Sequence, residues 1–248
     1  MSSLIDPDSS TPKYMQLANF IKQQIDSEVW LPRQMIPSER QLESQYSVSR
    51  PTIRQAIDYL ERLGYLYREH GRGTFVSPRK LQKGMQELTS FSEDLQQRGL
   101  QPGQIIRSIA WVTPSENIAR RLEIPAGTQV MQIDRIRLGD ESPIGLQTSF
   151  VALAPGEEIT QADLEKSGSL YRILEDKFNQ IPTEADETLE TTLATVEEAV
   201  LLHIKPDAPL LLNERLTYNQ YRRPIEFVKI LYRWDRYRYV TRLARKSS

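Results

Sequence analysis

Apolar residues at intervals of three and four predict three short helices at the start of the chain, over residues 14–27, 38–46 and 49–63. Ser38 and Gln41 have the spacing of a capping box for the second helix. Ser49 precedes the third helix as its cap, and Gly64 follows as its stop. The third helix has one face that can be buried, formed by Ile53, Ala56, Ile57, Leu60 and Leu63. The short turn between the second and third helices predicts a helix-turn-helix unit.

Two short strands are expected directly after these helices. Residues 65–68 and 74–76 carry β-forming residues, and residues 70–73 read His-Gly-Arg-Gly, which is typical of a hairpin tip. Three helices followed by a hairpin make a winged helix-turn-helix domain.

The rest of the chain alternates between strand and helix patterns. Two hairpins are expected, one over residues 130–138 and 144–151 and the other over 210–219 and 225–234. Further strands are predicted over 105–112 and 185–193, and helices over 88–100, 115–122, 170–178 and 196–202. The predicted class is therefore α+β, with an N-terminal winged helix-turn-helix domain followed by an antiparallel sheet with helices. We place the first domain at residues 1–77, a linker at 78–87 and the second domain at 88–248.

The third helix carries the chemistry of a DNA reader. Arg50 and Arg54 are four positions apart and share one helix face. An arginine there can donate two hydrogen bonds to guanine O6 and N7, and the nearby hydroxyls of Ser38, Ser49 and Thr52 can hold phosphates. At the wing, His70, Gly71 and Arg72 are candidates for further DNA contacts. The alternative is that this unit only packs and that its arginines form a solvated face.

Charge and composition narrow the possibilities. The 248 residues carry 32 basic and 33 acidic side chains, a net charge of −1. The first 83 residues hold 12 basic and 9 acidic side chains, so the N-terminal part is mildly basic and the remainder acidic. The absence of cysteine excludes disulfides, thiolate zinc sites and cysteine nucleophiles. With no long apolar run and no signal-peptide pattern, we expect a cytoplasmic protein that does not enter a membrane.

The second domain contains candidates for an anion site. Arg135 and Arg137 are two positions apart, so both face one side of a strand. Guanidinium groups suit phosphate or carboxylate. The small residues of 167–169 precede a helix and could bind a phosphate at its N-terminus, and Ser90, Phe91 and Ser92 lie at another helix start. Glu226 and Tyr232 on the last hairpin could hold hydroxyl or amine groups.

Simpler interpretations compete with this one. Arg135 and Arg137 could pair across the sheet with Glu187, Glu190 or Glu214. Residues 167–169 could serve only as a helix cap, and the tyrosines of the last hairpin as core or dimer aromatics. The sequence indicates no metal site and no cofactor.

Residues 13–76 resemble the DNA-binding domain of the GntR family of bacterial transcription regulators. The matching segments are Tyr14-x-Gln16, Pro37-Ser38-Glu39-Arg40-x-Leu42, Val48-Ser49-Arg50-x-Thr52-x-Arg54-x-Ala56 and Gly71-x-Gly73-Thr74-Phe75-Val76. The resemblance implies operator contacts by Arg40, Arg50, Arg54 and Gly71, with Thr52 on a phosphate. Pro32-Arg33 departs from the family's usual Pro-Gly turn, and Pro51 from its usual small residue.

Residues 88–239 resemble the UTRA effector-sensing domain of the HutC branch, whose fold is similar to chorismate lyase. The matching segments include the run 88–94, Arg135-x-Arg137, Pro143-Ile144, Ser169-Leu170-Tyr171, Pro224-Ile225-Glu226 and the run 235–238. By this resemblance, sensors of amino-sugar phosphates use the positions of Arg135, Arg137, Ser169, Leu170, Tyr171 and Glu226. Gln147 stands where relatives often carry glutamate.

These observations predict a ligand-responsive repressor that binds near-palindromic operator DNA as a homodimer. Its effector is expected to be a small anion, with a phosphorylated sugar preferred. One alternative is a lyase-like enzyme, against which stand two histidines in all and no visible nucleophile–base spacing. Another is a constitutive DNA-binding protein whose second domain only dimerises.

Overall fold

The computed structural model describes residues 5–6, 9–69, 71–78, 81–84 and 87–241, with the backbone alone for 81–84. The chain divides into two compact units, residues 1–80 and 81–248. Each unit is considered below by itself.

The first unit is a three-helix domain with a two-stranded wing. Its elements are α1 (Lys13–Asp26), α2 (Glu39–Tyr46), α3 (Arg50–Arg62), β1 (Leu66–Glu69) and β2 (Gly73–Val76). The two strands pair antiparallel. The apolar faces of the helices meet in one core, in which Leu17, Ile21, Leu42, Ile53 and Leu60 are almost fully buried. The winged helix-turn-helix prediction is confirmed.

The ends of α2 and α3 differ in how they are capped. The Ser38 hydroxyl accepts from the Gln41 N–H at 3.4 Å, and the Gln41 side chain accepts from the Ser38 N–H at 2.8 Å, so the expected capping box is present. Ser49 is the N-cap of α3, but its hydroxyl makes no capping hydrogen bond. It lies 2.9 Å from the Thr52 hydroxyl instead, which corrects the expected role of its side chain. Gly64 adopts φ 73°, as a C-terminal glycine should.

The second unit is built on a six-stranded antiparallel sheet in the order β4-β5-β6-β9-β8-β7. Its strands are β4 (Pro102–Val112), β5 (Val130–Gly139), β6 (Ser142–Val151), β7 (Pro182–Leu193), β8 (Pro209–Asn219) and β9 (Pro224–Arg233). Its helices are α4 (Phe91–Gln97), α5 (Glu116–Arg121), α6 (Gln161–Ser167), α7 (Leu170–Phe178) and α8 (Val196–Leu202). Two further strands, β3 (Leu81–Gly84) and β10 (Tyr237–Val240), pair parallel to each other. The α+β prediction is confirmed.

The helices cover both faces of this sheet. On one face, α4, α6 and α7 pack against inward side chains such as Ile133 and Val228. On the other face, α5 packs over Phe227, and α8 packs beside Leu210. The positions along each strand therefore alternate between the two faces, and most odd-numbered residues of β5 and β6 face α4, α6 and α7.

Three elements were absent from the sequence prediction. They are α6 and the parallel pair β3 and β10. Because β3 falls within residues 78–87, the predicted linker contains a strand that pairs with the second unit. The domain limits themselves stay a prediction.

Candidate DNA-binding surface and effector cavity

Helix α3 presents Arg50 and Arg54 against two carboxylates of α2. Arg50 Nε donates to Glu43 Oε2 at 2.8 Å, and Arg54 Nε donates to Glu39 Oε2 at 2.8 Å. Both arginines are exposed, and the contact with Glu43 raises the pKa of Arg50. The arginines therefore share one face, as predicted, and their orientation is set by the preceding helix.

The other predicted DNA-binding residues lie around this face or on the wing. Ser38 and Arg40 are exposed at the start of α2, and Thr52 is half-buried beside Ser49. On the wing, Gly71 has φ 72° and open space around its Cα, so the backbone there is accessible to a partner.

The wing arginine is held in place by its own hairpin. Arg72 forms an ion pair with Glu69 and lies over the Phe75 ring, 5.6 Å from its centroid. His70, the remaining wing candidate, lies outside the described residues.

The predicted effector residues all line one cavity on the inner face of the second unit's sheet. They come from α4, α7 and strands β5, β6 and β9, which the antiparallel register places side by side. The cavity measures about 30 Å³, room for roughly one water molecule. It is narrow in this conformation, and a sugar-sized ligand would need its walls to move apart.

Arg135 and Arg137 form the charged floor of this cavity. Each is only 2% exposed. Their Nη1 groups share the Gln104 side-chain oxygen, at 3.2 and 2.9 Å. Arg137 also lies 4.0 Å over the Phe91 ring. Within the described part of the chain, both Nε atoms are buried without a hydrogen-bond partner, and no carboxylate lies within 4.0 Å of either guanidinium.

This burial has an electrostatic cost. Loss of water around the cation lowers the pKa of Arg135 to about 10, and burial beside Arg135 lowers the pKa of Arg137 as well. Two adjacent cations with unmet hydrogen-bonding capacity favour an anion between them.

Two of the three glutamates that could pair with these arginines have other partners, and the third, Glu190, is exposed. Glu187 pairs with Arg215 at 2.5 Å, and Glu214 pairs with Arg121 at 3.2 Å and Lys229 at 2.7 Å. Cross-strand pairing of Arg135 and Arg137 with these carboxylates is therefore wrong.

Two acceptors complete the polar lining. Glu226 is 2% exposed, burial raises its pKa, and its Oε1 has no partner among the described groups. Gln147 donates from Nε2 to Ser149 at 2.9 Å, while its Oε1 is likewise unpartnered within the described chain. These oxygens could accept hydrogen bonds from hydroxyl or amine groups of a ligand.

The hydroxyls at the helix starts serve the fold and also line the cavity. Ser90 forms a capping box with Glu93, and Ser169 caps α7 by accepting from Arg172 N–H at 3.5 Å. Ser92 donates to the Gly168 carbonyl at 2.7 Å and lies 3.5 Å from Arg137 Nη2. A capping role and a place in the cavity are thus compatible.

The aromatic wall is tied into a buried network. Tyr171 accepts from Arg215 Nη1 at 3.2 Å and lies 2.9 Å from the Thr217 hydroxyl, while the neighbouring Leu170 packs in the core. Tyr232 is stacked on Tyr237, with ring centroids 4.0 Å apart. Tyr232 is therefore both a core aromatic and a cavity residue.

Sequence reasoning missed the cavity residue Arg215 and also Gln104, which hydrogen-bonds to both arginines of the cavity floor. A signal for Arg215 was available, because polar residues occupy every second position of β8 from Asn213 to Asn219. Such a run places a polar row on one face of a strand. Gln104 had no signal, since its role depends on where β4 pairs with β5.

A larger groove of about 720 Å³ lies mainly on the opposite face of the sheet, and Arg135 and Gln147 border it as well as the smaller cavity. Other charged groups of this groove are partnered, for example Arg107 with Glu197, and Asp134 with the Ser108 and Thr148 hydroxyls. The unmet polar groups of Arg137 and Glu226 border the smaller cavity and not the groove, and we therefore regard the smaller cavity as the candidate site.

Within the described ranges, no group of three or more His, Asp or Glu side chains is arranged to hold a metal ion. No helix in those ranges combines the length and apolar character needed to span a membrane.

Comparison with known proteins agrees with both halves of this description. The model of the bacterial regulatory proteins of the gntR family matches residues 13–76, and that of the UTRA domain matches residues 97–238. The chain belongs to the GntR family. HTH-type transcriptional repressor NagR of Bacillus subtilis is 36% identical over 98% of this chain and 99% of its own.

Other relatives place this GntR-family regulator in the HutC branch. The histidine utilization repressor of Klebsiella aerogenes is 29% identical over 92% of each chain. Among solved structures, PhnF from Mycobacterium smegmatis matches with a TM-score of 0.61 and 27% identity, over 94% of this chain and 99% of that one. The relatives are transcriptional repressors, and this chain is a transcription regulator of the same type.

Proposed function

We propose that this regulator is a homodimeric, cytoplasmic repressor that binds near-palindromic operator DNA and is controlled by a small anionic metabolite, preferably a phosphorylated sugar. The DNA would be read by Arg50 and Arg54 of α3, supported by Arg40 and by Gly71 of the wing. One α3 per half-site fits the two-fold symmetry of such operators.

The observation that carries the effector proposal is the pair Arg135 and Arg137. Both cations are buried and adjacent, and no described carboxylate lies within 4.0 Å of either guanidinium. A phosphate would supply the missing charge and accept from both Nε groups. The acceptor oxygens of Glu226 and Gln147 would then face the hydroxyl or amine groups of the same ligand.

The narrow cavity supports a regulatory role for this ligand. Because the space is about 30 Å³, a sugar phosphate would bind to a wider conformation. A ligand that binds one conformation better than another shifts the population towards it. Coupling of ~1–3 kcal/mol between ligand and DNA is of the usual size.

The test is fluorescence anisotropy on DNA that the wild-type protein selects from a random library. Sugar phosphates and organic acids are titrated into the complex. We expect at least one sugar phosphate to change the operator affinity at micromolar concentration. Arg135→Met should abolish that response without changing the affinity for DNA alone.

A matched control is Arg107→Met, which removes an exposed arginine of the same sheet. It should respond like the wild type. If the wild type selects DNA but no anion alters its binding, the effector proposal fails. Sedimentation of the protein–operator complex tests the homodimer, since a single protomer per operator would contradict it.

A further inference from the structure

Two carboxylates of α2 and two arginines of α3 are matched in spacing. Glu39 and Glu43 are four residues apart on one helix, and Arg50 and Arg54 are four apart on the next. Residues at this spacing lie on one helix face. The outer pair, Glu39 and Arg54, and the inner pair, Glu43 and Arg50, have the same atoms in contact, Oε2 and Nε, at the same distance of 2.8 Å.

The atoms used in these contacts leave the end of each guanidinium available. Within the described part of the chain, Nε is the only guanidinium nitrogen of Arg50 or Arg54 that donates a hydrogen bond to another side chain. The two Nη groups are the ones that reach guanine O6 and N7 in a bidentate contact. An arginine can therefore donate from Nε to a carboxylate and from its Nη groups to a base at the same time. The carboxylate contact fixes the plane of the guanidinium, and with it the direction in which the Nη groups can meet a base.

Stability alone does not account for these ion pairs. The arginine side chains are 54% and 65% exposed, and exposed pairs contribute little to folding. Close to a DNA-binding face, the carboxylates also repel phosphates and weaken non-specific binding. A gain in sequence discrimination would offset that loss.

We propose that Glu39 and Glu43 are positioning residues that orient Arg54 and Arg50, respectively, for guanine recognition. This inference rests on the proposed reading of DNA by the two arginines. Without its carboxylate, each flexible arginine is free to turn to the nearest phosphate, and the protein exchanges specific contacts for non-specific ones.

The test compares Glu39→Gln and Glu43→Gln with Glu61→Gln. Glu61 pairs with Arg68 in the same domain, so its variant removes the same charge without touching α2 or the arginines of α3. Anisotropy is measured on the operator selected by the wild type and on scrambled DNA of equal length. We expect the ratio of specific to non-specific affinity to fall about tenfold in the first two variants and less than about twofold in the control, tenfold being about 1.4 kcal/mol.

Base substitutions in the operator identify which arginine is affected. Glu39→Gln should relax discrimination at the same base pair as Arg54→Ala, and the double variant should lose no more than Arg54→Ala alone. Glu43→Gln should match Arg50→Ala in the same way. Equal gains in affinity for both DNAs in all three glutamine variants would overturn the proposal, because the carboxylates would then act by charge alone.

Folding and function are separated within the same experiment. Urea unfolding shows whether a variant has lost stability, since Glu39 lies in the first turn of α2. A folded Glu39→Gln that keeps wild-type discrimination overturns the inference. If the wild type itself selects no sequence, or if Arg54→Ala keeps full discrimination, the proposed reading by arginine is what fails.

Discussion

The same substitution at two buried arginines of one sheet should have opposite effects on stability. Arg135 has no carboxylate partner among the described residues, whereas Arg215 pairs with Glu187 and donates to the Thr89 carbonyl and the Tyr171 hydroxyl. Methionine has similar length and no charge, so it can occupy either space. We expect Arg135→Met to stabilise the ligand-free protein and Arg215→Met to destabilise it.

The magnitude for Arg135 follows from its burial. Burial lowers the pKa of Arg135 to about 10, and the fall from the ordinary value of an arginine corresponds to about 3 kcal/mol against the charged form. Because the pKa of this base is lower in the folded state, the cost is present in full below pH 10 and disappears as the pH rises towards the ordinary arginine pKa. Arg135→Met also removes the hydrogen bond to Gln104, and this loss reduces the gain in stability by about 1.5 kcal/mol. The net gain at pH 7 is about 1–2 kcal/mol, or roughly 2–8 °C in the unfolding temperature of a unit of this size.

Replacement of Arg215, which has a carboxylate partner, should change the stability in the opposite direction. Arg215→Met removes a cation from Glu187 and a donor from Tyr171, and breaking such a buried pair costs about 3 kcal/mol. Differential scanning calorimetry of the whole chain follows the transition of the second unit in each variant. A loss of more than about 1 kcal/mol in Arg135→Met would refute the reasoning, since the Arg135 charge would then be compensated in the free protein.

Three further changes test separate parts of the structure. Arg54→Ala should weaken operator binding by ~1–3 kcal/mol and relax discrimination at one base pair, as measured by anisotropy. Unchanged discrimination would mean that Arg54 does not contact a base. Gly71→Ala should lower the stability of the first unit by about 1 kcal/mol in thermal unfolding, because φ is 72°, and a neutral result would contradict a left-handed wing tip. The hydrogen bond from Lys177 lowers the pKa of Asp163 to about 2, so its contribution is present above pH 4 and lost as the pH falls through 2. Asp163→Asn should therefore cost up to about 1 kcal/mol at pH 7 and nothing near pH 2 in urea unfolding, and a cost independent of pH would exclude the charge as its source.

Most of the fold prediction depends on patterns among residues that are close in the sequence. The apolar face of α3 and the capping box at Ser38 depend only on neighbouring residues, so the sequence alone located them. In the helix α6, Leu164 is the only large apolar residue among seven, so no helical spacing of apolar residues marks it. The strands β3 and β10 are four residues each, and their pairing depends on tertiary structure.

The candidate sites were predictable in their residues but not in their partners. The spacing of Arg135 and Arg137 places both on one face of a strand, and the structure has them there. Which carboxylate meets which arginine is decided by strand register and helix packing. For this reason the sequence alone leaves Glu187 open as a partner of Arg135 or Arg137, whereas in the structure it pairs with Arg215. For the same reason the sequence does not indicate the contacts of Glu39 and Glu43.

The pairing of β3 with β10 has a consequence for how the protein is made. Residues 81–84 are synthesised early, but their partner strand is residues 237–240, with most of the second unit in between. Contacts between such distant segments form late and slow folding, whereas the local helices of the first unit can form at once. On the ribosome, the DNA-binding unit can therefore be complete while β3 still lacks its partner. A chain interrupted before residue 237 would therefore contain a folded DNA-binding unit and a second unit in which β3 has no partner strand.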